Sequence, residues 1–417
     1  WARRGGWLVG VVLLLLLAGW AQSFYLDWLW FRGVGHEDVL LTSTLARVAL
    51  YVAAVVAFLA LAVPNLAYAW RATAGLPFLA EGVSPASYEV ARKLLIRAAI
   101  AATGLLALMM AGPAAAQWET ALLFLNRVPF GEVEPIFGLD FGFFIFTLPA
   151  LGLLQVWLLS AVVAVMLVVG GFYFLTSRTR VDGARFLGRA RRQLALLGAG
   201  LFLLIAAGHW LSRYDLLYSS TGAVYGVGYT DSVITLPGRA LLTLIALGTA
   251  VALAVGAFVS TRRRAVAWPV VAWLASVVLI GMAAPSLFQR LRVEPSELAL
   301  EREFLANNIR YTRQAFGLDR IQARSHPARG TVDAATVAAN PGTLQNVRLW
   351  DEAPLLQSYN QIQFFRLYYD FVAVHTDRYR VGDELRQVML ATRELSAEKL
   401  TAEAQRWVNR RLQFTHG

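Results

Sequence analysis

Residues Pro149–Leu175 read PALGLLQVWLLSAVVAVMLVVGGFYFL, without one charged side chain. A bilayer core of about 30 Å needs roughly 20 apolar residues in a helix, and this segment exceeds that. Six more stretches read the same way: Trp7–Phe24, Val48–Ala69, Ala98–Ala116, Leu194–Leu211, Ala240–Val259 and Ala265–Leu287. The chain of 417 residues is 57% hydrophobic and only 16% charged, against roughly a quarter charged in soluble domains. Together these describe a polytopic α-helical membrane protein with about seven spans. Its bilayer contact is therefore its first partner.

The connecting segments set the orientation, because short cytoplasmic loops carry the excess of Lys and Arg. Arg3 and Arg4 precede the first stretch; Arg71, Arg92, Lys93 and Arg97 follow the second; Arg178, Arg180, Arg185, Arg189, Arg191 and Arg192 follow the fourth; Arg262–Arg264 follow the sixth. The alternate loops are acidic, with Asp27, Glu37, Asp38, Glu119, Glu132, Glu134, Asp140, Asp215 and Asp231. This predicts a cytoplasmic N-terminus and an extracytoplasmic C-terminal region. It also accounts for the net charge of +11 as a topology signal, so no nucleic-acid partner is expected. The first stretch could serve as a signal peptide, but no small-residue cleavage site follows it, and a retained span is the preferred reading.

The outer connections are long. Residues 25–44 carry Trp28, Trp30 and Phe31 as an interfacial aromatic belt. Residues 117–141 and 212–238 exceed the length at which loops are often functional. Residues 141–175 are too long for one perpendicular helix, roughly 52 Å at 1.5 Å per residue, so a break is expected near Pro149. The division into domains is placed at 1–288 for the membrane part and 289–417 for a mixed α/β extracytoplasmic domain. In the latter a helix is expected over Glu297–Phe316, capped by Ser296 and stopped by Gly317, with Leu298, Leu305, Ile309 and Phe316 inward. A strand is expected over Thr343–Leu349, a helix over Ala353–Leu367, a hairpin of Phe371–Val381 and Glu384–Thr392 around Gly382-Asp383, and a last helix over Ser396–Leu412. Neither Trp1 nor Gly417 looks like a natural end, so the chain is expected to belong to a longer one.

Chemistry is sparse. The absence of cysteine excludes disulfides and thiolate sites. The spans hold few polar groups; Asn65 reads as a helix-packing hydrogen bond and His209 as an interfacial structural residue. Candidate metal ligands are Asp215 and Asp231 around a Tyr/Gly-rich loop, as oxygen donors for Ca²⁺, and His375 with Asp377 on one strand face. His36-Glu37-Asp38 are adjacent and cannot converge in regular structure. No catalytic or cofactor-binding motif is present, so no cofactor is expected and no catalytic residue is assigned. Gly222, Gly226 and Gly228 read as turn residues.

Several runs resemble one family closely: 213–220 RYDLLYSS, 228–231 GYTD, 293–298 VEPSEL, 346–351 NVRLWD, 366–370 RLYYD and 407–410 WVNR. They are similar to the bacterial uncharacterised protein family 0182. The resemblance implies the cytoplasmic membrane, about seven spans, a large extracytoplasmic region and longer chains than this one. It implies no catalytic residue.

The leading reading is a non-catalytic envelope anchor or scaffold that presents an extracytoplasmic surface, with partners among other membrane or envelope proteins or a second copy of itself. A transporter or lipid-handling protein is the second reading and an envelope enzyme the third. Two structural expectations go with it. The segment Arg213–Arg239 should fold against the chain after Arg290, through Tyr218, Tyr225 and Tyr229. Trp350, Asp351, Arg366, Tyr368 and Asp370 should form a structural knot, with Arg366 paired to Asp351.

Overall fold

The computed structural model describes residues 18–19, 21–73, 85–177, 183–259, 264–325, 330–363, 365 and 368–399. The chain divides into two compact units, Trp1–Ile321 and Gln322–Gly417. The described part of the first is mainly helical. Helix α1 covers residues 21–33; α2 is Glu37–Thr73, α3 Pro85–Ala116, α4 Trp118–Leu125, α5 Leu148–Ser177, α6 Gly183–Leu211 and α7 Leu236–Val259. Then come α8 Arg264–Ser276, α9 Ala284–Phe288 and α10 Glu297–Ala315. Six helical segments among the described residues are long and apolar enough to cross a membrane. Most of the expected first span lies outside the described residues.

The bundle is packed through small residues. Phe58, Ala62, Ala69 and Ala72 of α2 meet Ala107 of α3, and Ala161, Val165 and Val169 of α5. A second cluster joins Ala199, Phe202 and Ala206 of α6 to Ala246, Ala250 and Leu253 of α7. Small side chains let helix backbones approach closely, the packing mode of helices in lipid. Large apolar side chains face outward instead: Val56 is 60% exposed, Leu244 64% and Leu167 70%. A water-soluble protein would bury them. Polar cross-links are few. Asn65 accepts from Gln193 Nε2 at 3.1 Å, Gln193 accepts from the Tyr173 hydroxyl at 2.6 Å, and Trp157 Nε1 donates to Met110 O at 3.1 Å. Asn65 thus ties α2 to α6, as its sequence context suggested.

Among the described residues four π-helical turns interrupt the rods: Phe143–Thr147, Asp231–Thr235, Val277–Ala283 and Gln289–Val293. Each ends two residues before a proline: Pro149, Pro237, Pro285 and Pro295. Proline has no N–H and its ring clashes with the carbonyl four residues back. Widening the preceding turn relieves the clash, and Leu148 N–H reaches Phe143 O instead. The expected break near Pro149 is therefore absent, and one helical segment runs over Phe143–Thr176.

The same device removes the expected stop after Leu287. A single helical path covers Ala267–Ala315, 49 residues, or roughly 70 Å at 1.5 Å per residue. Ser296 makes no side-chain cap, because the chain enters α10 already helical. The contact-defined unit accordingly ends at Ile321. The expected 288/289 division, drawn where the apolar stretch ends, does not coincide with that boundary. Gly317, at φ 65°, does terminate α10.

In the second unit, α11 is Ala334–Ala339, α12 Pro341–Gln345 and α13 Glu352–Gln363. Strand β1, Tyr369–Phe371, pairs antiparallel with β4, Arg393–Leu395; β2, His375–Val381, pairs antiparallel with β3, Glu384–Leu390. Val381 faces Glu384 across the two-residue turn Gly382-Asp383, as expected, with Gly382 at φ 65°. The expected strand at Thr343–Leu349 is instead α12 and a turn, since Pro341 begins a helical turn there. Asn346 still serves the hairpin: it accepts from Gln387 N at 2.5 Å and donates to Leu385 O at 3.3 Å. Nearly all of the expected last helix lies outside the described residues; its start, Ala397–Lys399, is 3-10 helix.

Candidate functional site

The most elaborate part of the first unit is the end that carries residues 126–142 and 212–231, with α10 laid across them. Two carboxylates organise the first of these segments. Asp140 accepts from Phe130 N at 3.0 Å, Gly131 N at 2.8 Å and Gly142 N at 2.7 Å. The Phe130 and Gly142 N–H groups hold its carboxyl below the usual carboxylate range, with Gly131 adding to them. Glu134 is buried and accepts from Ile136 N at 2.9 Å and Phe137 N at 2.7 Å. Gly142 has to lack a side chain: a Cβ there would lie 2.6 Å from Val128 O and 2.8 Å from Asp140 Oδ1.

The second segment enters as a 3-10 turn, Tyr214–Tyr218. Tyr214 packs edge-on against Phe137 at 5.0 Å and Phe143 at 5.1 Å, which locks the two segments together. Helix α10 is fastened to both. Glu301 is 1% exposed and accepts from Tyr229 N at 2.9 Å. Gly222 and Gly228 form its cradle; a Cβ on Gly228 would sit 3.0 Å from Glu301 Oε1. Glu301 lies fourteen residues past Leu287, roughly 21 Å along the helix. Burial raises its pKa, and the Tyr229 N–H opposes that. Farther along α10, Asn308 donates to Tyr225 O at 3.1 Å, Gln314 to Glu132 at 2.9 Å, and the Tyr311 ring meets Phe141 at 5.7 Å. At its base Thr230 donates to Gln289.

This face of α10 differs from the expected one. Leu298 is 77% exposed, Ile309 57% and Phe316 77%. The packed side carries Glu301, Phe304, Asn308 and Tyr311, at helical spacing. A charged Glu301 reads as surface in sequence, and only the glycines at 222 and 228 signal the cradle that takes it.

Between α10 and the two segments lies a cleft of about 810 Å³, lined mainly by Phe130, Ile136, Phe141, Phe144, Ile145, Leu217, Val224, Val227 and Phe304. Glu132, Glu134, Asn307, Asn308, Thr312 and Gln314 are among its polar residues, with Tyr218, Tyr225 and Tyr311 beside them. A second cavity of about 360 Å³ lies between the adjoining ends of α5 and α6, lined by Leu148, Gly152, Val156, Gly208, Leu211 and Asp215. Phe144 and Tyr218 line both.

The sequence-derived candidates fall in different places. The segment 213–239 does contact the chain after Arg290, as expected, but the fastening comes from Glu301, Asn308 and Gln289. Tyr218 and Tyr225 are 54% and 68% exposed. Tyr229 contributes its N–H, and its ring stacks on Phe288 at 6.2 Å. The Arg213 guanidinium lies 4.0 Å above the Trp210 ring. Asp231 is buried, 3.5 Å from Gly228 N. Asp215 sits at the second cavity, where burial against its lining raises its pKa and Arg239 opposes the rise. His209 accepts from Trp273 Nε1 at 3.3 Å, joining α6 to α8. Glu37 and Asp38 occupy the first turn of α2, where its dipole favours acids. His375 and Asp377 lie on the exposed strand β2. Among the described residues no group of three or more His, Cys, Asp or Glu side chains could hold a metal ion.

The expected pairing of Arg366 with Asp351 falls on a position outside the described residues. Asp351 is 3.6 Å from Arg348, Asp370 pairs with Lys399, Tyr368 and Tyr369 rings are 4.9 Å apart, and Arg393 lies 4.2 Å over Tyr369. Trp350 is 53% exposed and does not enclose Asp351. Asp351 is itself mostly solvated, so its ion pair with Arg348 contributes little.

The model of the uncharacterised protein family UPF0182 matches residues 5–417. The chain belongs to this family. A UPF0182 protein of Synechococcus sp. (strain JA-3-3Ab) is 38% identical over 98% of the chain and 47% of its own length. One from Pelotomaculum thermopropionicum is 38% identical over 98% of the chain and 46% of its length, and one from Desulforamulus reducens 33% over 97% and 46%. The chain thus spans about half the length of the curated UPF0182 relatives it matches. No solved structure matches it.

Proposed function

We propose that this UPF0182 chain is a multi-pass protein of the bacterial cytoplasmic membrane, with seven spans, a cytoplasmic N-terminus, and α10 and the residues after it on the extracytoplasmic side. In this reading it acts as an anchor that presents a binding surface there, to other envelope proteins or a second copy of itself, and not through a reaction of its own. The observation that carries the reading is the cap: α10 fastened by buried Glu301 over two long segments, enclosing a mostly apolar cleft with few convergent polar groups. Sites of that size and lining are typical ligand sites. Supporting it are the six apolar helical segments, the outward-facing large apolar side chains, and the Arg-rich segments that alternate with acidic ones. Reporter fusions test the placement. A reporter after Arg264 should be active only in the cytoplasm and one after Phe316 only outside; the reverse at either site overturns it. A lipid-handling role is the second reading, favoured by the cavity between α5 and α6 that adjoins the cleft.

A further inference from the structure

We infer that the cleft beneath α10 holds one membrane lipid, its acyl chain in the cavity between α5 and α6 and an ammonium-bearing headgroup at the Glu132 end. The inference rests on the membrane placement proposed above and deepens it by naming the ligand.

Two observations point the same way. The two cavities share Phe144 and Tyr218 as wall. The smaller one is walled by Leu148, Val156 and Leu211, which lie in two of the segments apolar enough to span a membrane. An occupant of both spaces therefore needs an apolar chain that enters from the bilayer and a part that reaches the cap. An extended peptide would place unpaired backbone groups between Leu148, Val156 and Leu211, at a cost of several kcal/mol per group, and a helix, about 10 Å across, is too wide for a space of about 360 Å³; an acyl chain meets neither obstacle.

The polar end selects the headgroup. Among the described residues no Lys or Arg lines the cleft, and the adjoining Arg310 guanidinium donates to Asn307 Oδ1 and the Tyr311 hydroxyl, so a bare phosphate monoester finds no cation in the lining. Glu134 is occupied by its own backbone donors. Glu132 is exposed, and Gln314 takes only its Oε1. A carboxylate with one oxygen open beside the Gln314 amide suits an ammonium group with a neighbouring hydrogen-bonding linkage. Phosphatidylethanolamine has this chemistry; phosphatidylglycerol, with the same chains and no ammonium, does not.

The test uses the full-length protein in vesicles of phosphatidylethanolamine and phosphatidylglycerol, with a trace of either lipid carrying a photoactivatable acyl chain. Cross-linked peptides are mapped by mass spectrometry. Labelling by the ethanolamine probe should concentrate on residues 141–156 and 208–227, and exceed that by the glycerol probe at least fivefold. Glu132→Gln should erase the headgroup preference. Ala315→Trp and Val224→Trp, which fill the cleft from opposite walls, should each cut labelling at least fivefold. Labels spread over the lipid-facing surface and insensitive to both tryptophans would overturn the site, and equal labelling by the two probes would overturn the headgroup assignment. Wrong-sided reporter fusions with cleft labelling intact would instead count against the membrane placement alone.

Discussion

The bundle and its cap are built by opposite rules. In the bundle, Ala and Val fill the contacts, large apolar residues face outward, and the few polar groups form isolated bridges such as Asn65–Gln193. In the cap, carboxylates are the organising groups: Asp140 accepts three backbone N–H groups, Glu134 two and Glu301 one, which the irregular segments do not pair for themselves. The difference follows from the backbone. A helix satisfies its own N–H groups, so its side chains need only pack. A loop folded into a cap needs side-chain acceptors, and a buried carboxylate supplies two oxygens at once. Substitutions should therefore be costlier in the cap than at polar positions in the bundle.

The sharpest way to break that contrast is Gly142→Ala. Its methyl group would collide with the fixed Val128 carbonyl and with Asp140, so a loss of about 3 kcal/mol is expected, read as a fall in the thermal midpoint in detergent. Next comes Glu301. Glu301→Ala strands the Tyr229 N–H and should cost about 2 kcal/mol. Glu301→Gln keeps the acceptor and removes a buried charge, so it should cost almost nothing at pH 7. Equal losses for the two variants would show that the charge itself, and not the acceptor, holds α10. In the bundle, Gln193→Leu should cost about 0.6 kcal/mol, the mean for polar contacts between membrane helices; a loss matching Glu301→Ala would erase the distinction.

The smallest effects are in pH dependence, where two carboxyls of the same end run in opposite directions. The folded pKa of Asp140 is depressed, so its contribution is present above the ordinary carboxylate range and lost as pH falls through its folded value. The folded pKa of Asp215 is raised, so its contribution is present below the unfolded value and lost as pH rises through the folded one. Asp140→Asn should flatten the acid-side loss of stability, and Asp215→Asn should slightly stabilise the protein at neutral pH. Thermal midpoints from pH 3 to pH 7 distinguish them; slopes of the same sign would contradict the assignment.

How much of this the sequence disclosed depended on the same contrast. The rods were legible because Pro149–Leu175 and its like have no competing interpretation, and the hairpin because Gly382-Asp383 separates two strands by two residues. The path from Ala267 to Ala315 was not, because Pro285 and Pro295 ordinarily end helices, and π turns that absorb them leave no sequence mark. The inward face of α10 was missed because apolar residues are assigned inward by default. Leu298, Ile309 and Phe316 follow that rule in spacing but not in place, while Glu301 is buried by a partner seventy-two residues upstream. The cleft was legible only as long outer loops.

The face of α10 that meets the cap is therefore the point on which the site stands, and the absence of cysteine makes it directly measurable. Two double variants are placed in native membranes and treated with a short bis-maleimide. Tyr225→Cys with Asn308→Cys joins positions in contact through the hydrogen bond from Asn308 to Tyr225 O at 3.1 Å. Tyr225→Cys with Ile309→Cys joins the same loop to the exposed side of the helix. The expected result is near-complete cross-linking of the first pair and little of the second. Preferential cross-linking of the second pair would put Leu298, Ile309 and Phe316 against the loops, and would contradict both the Glu301 clamp and the cleft built on it.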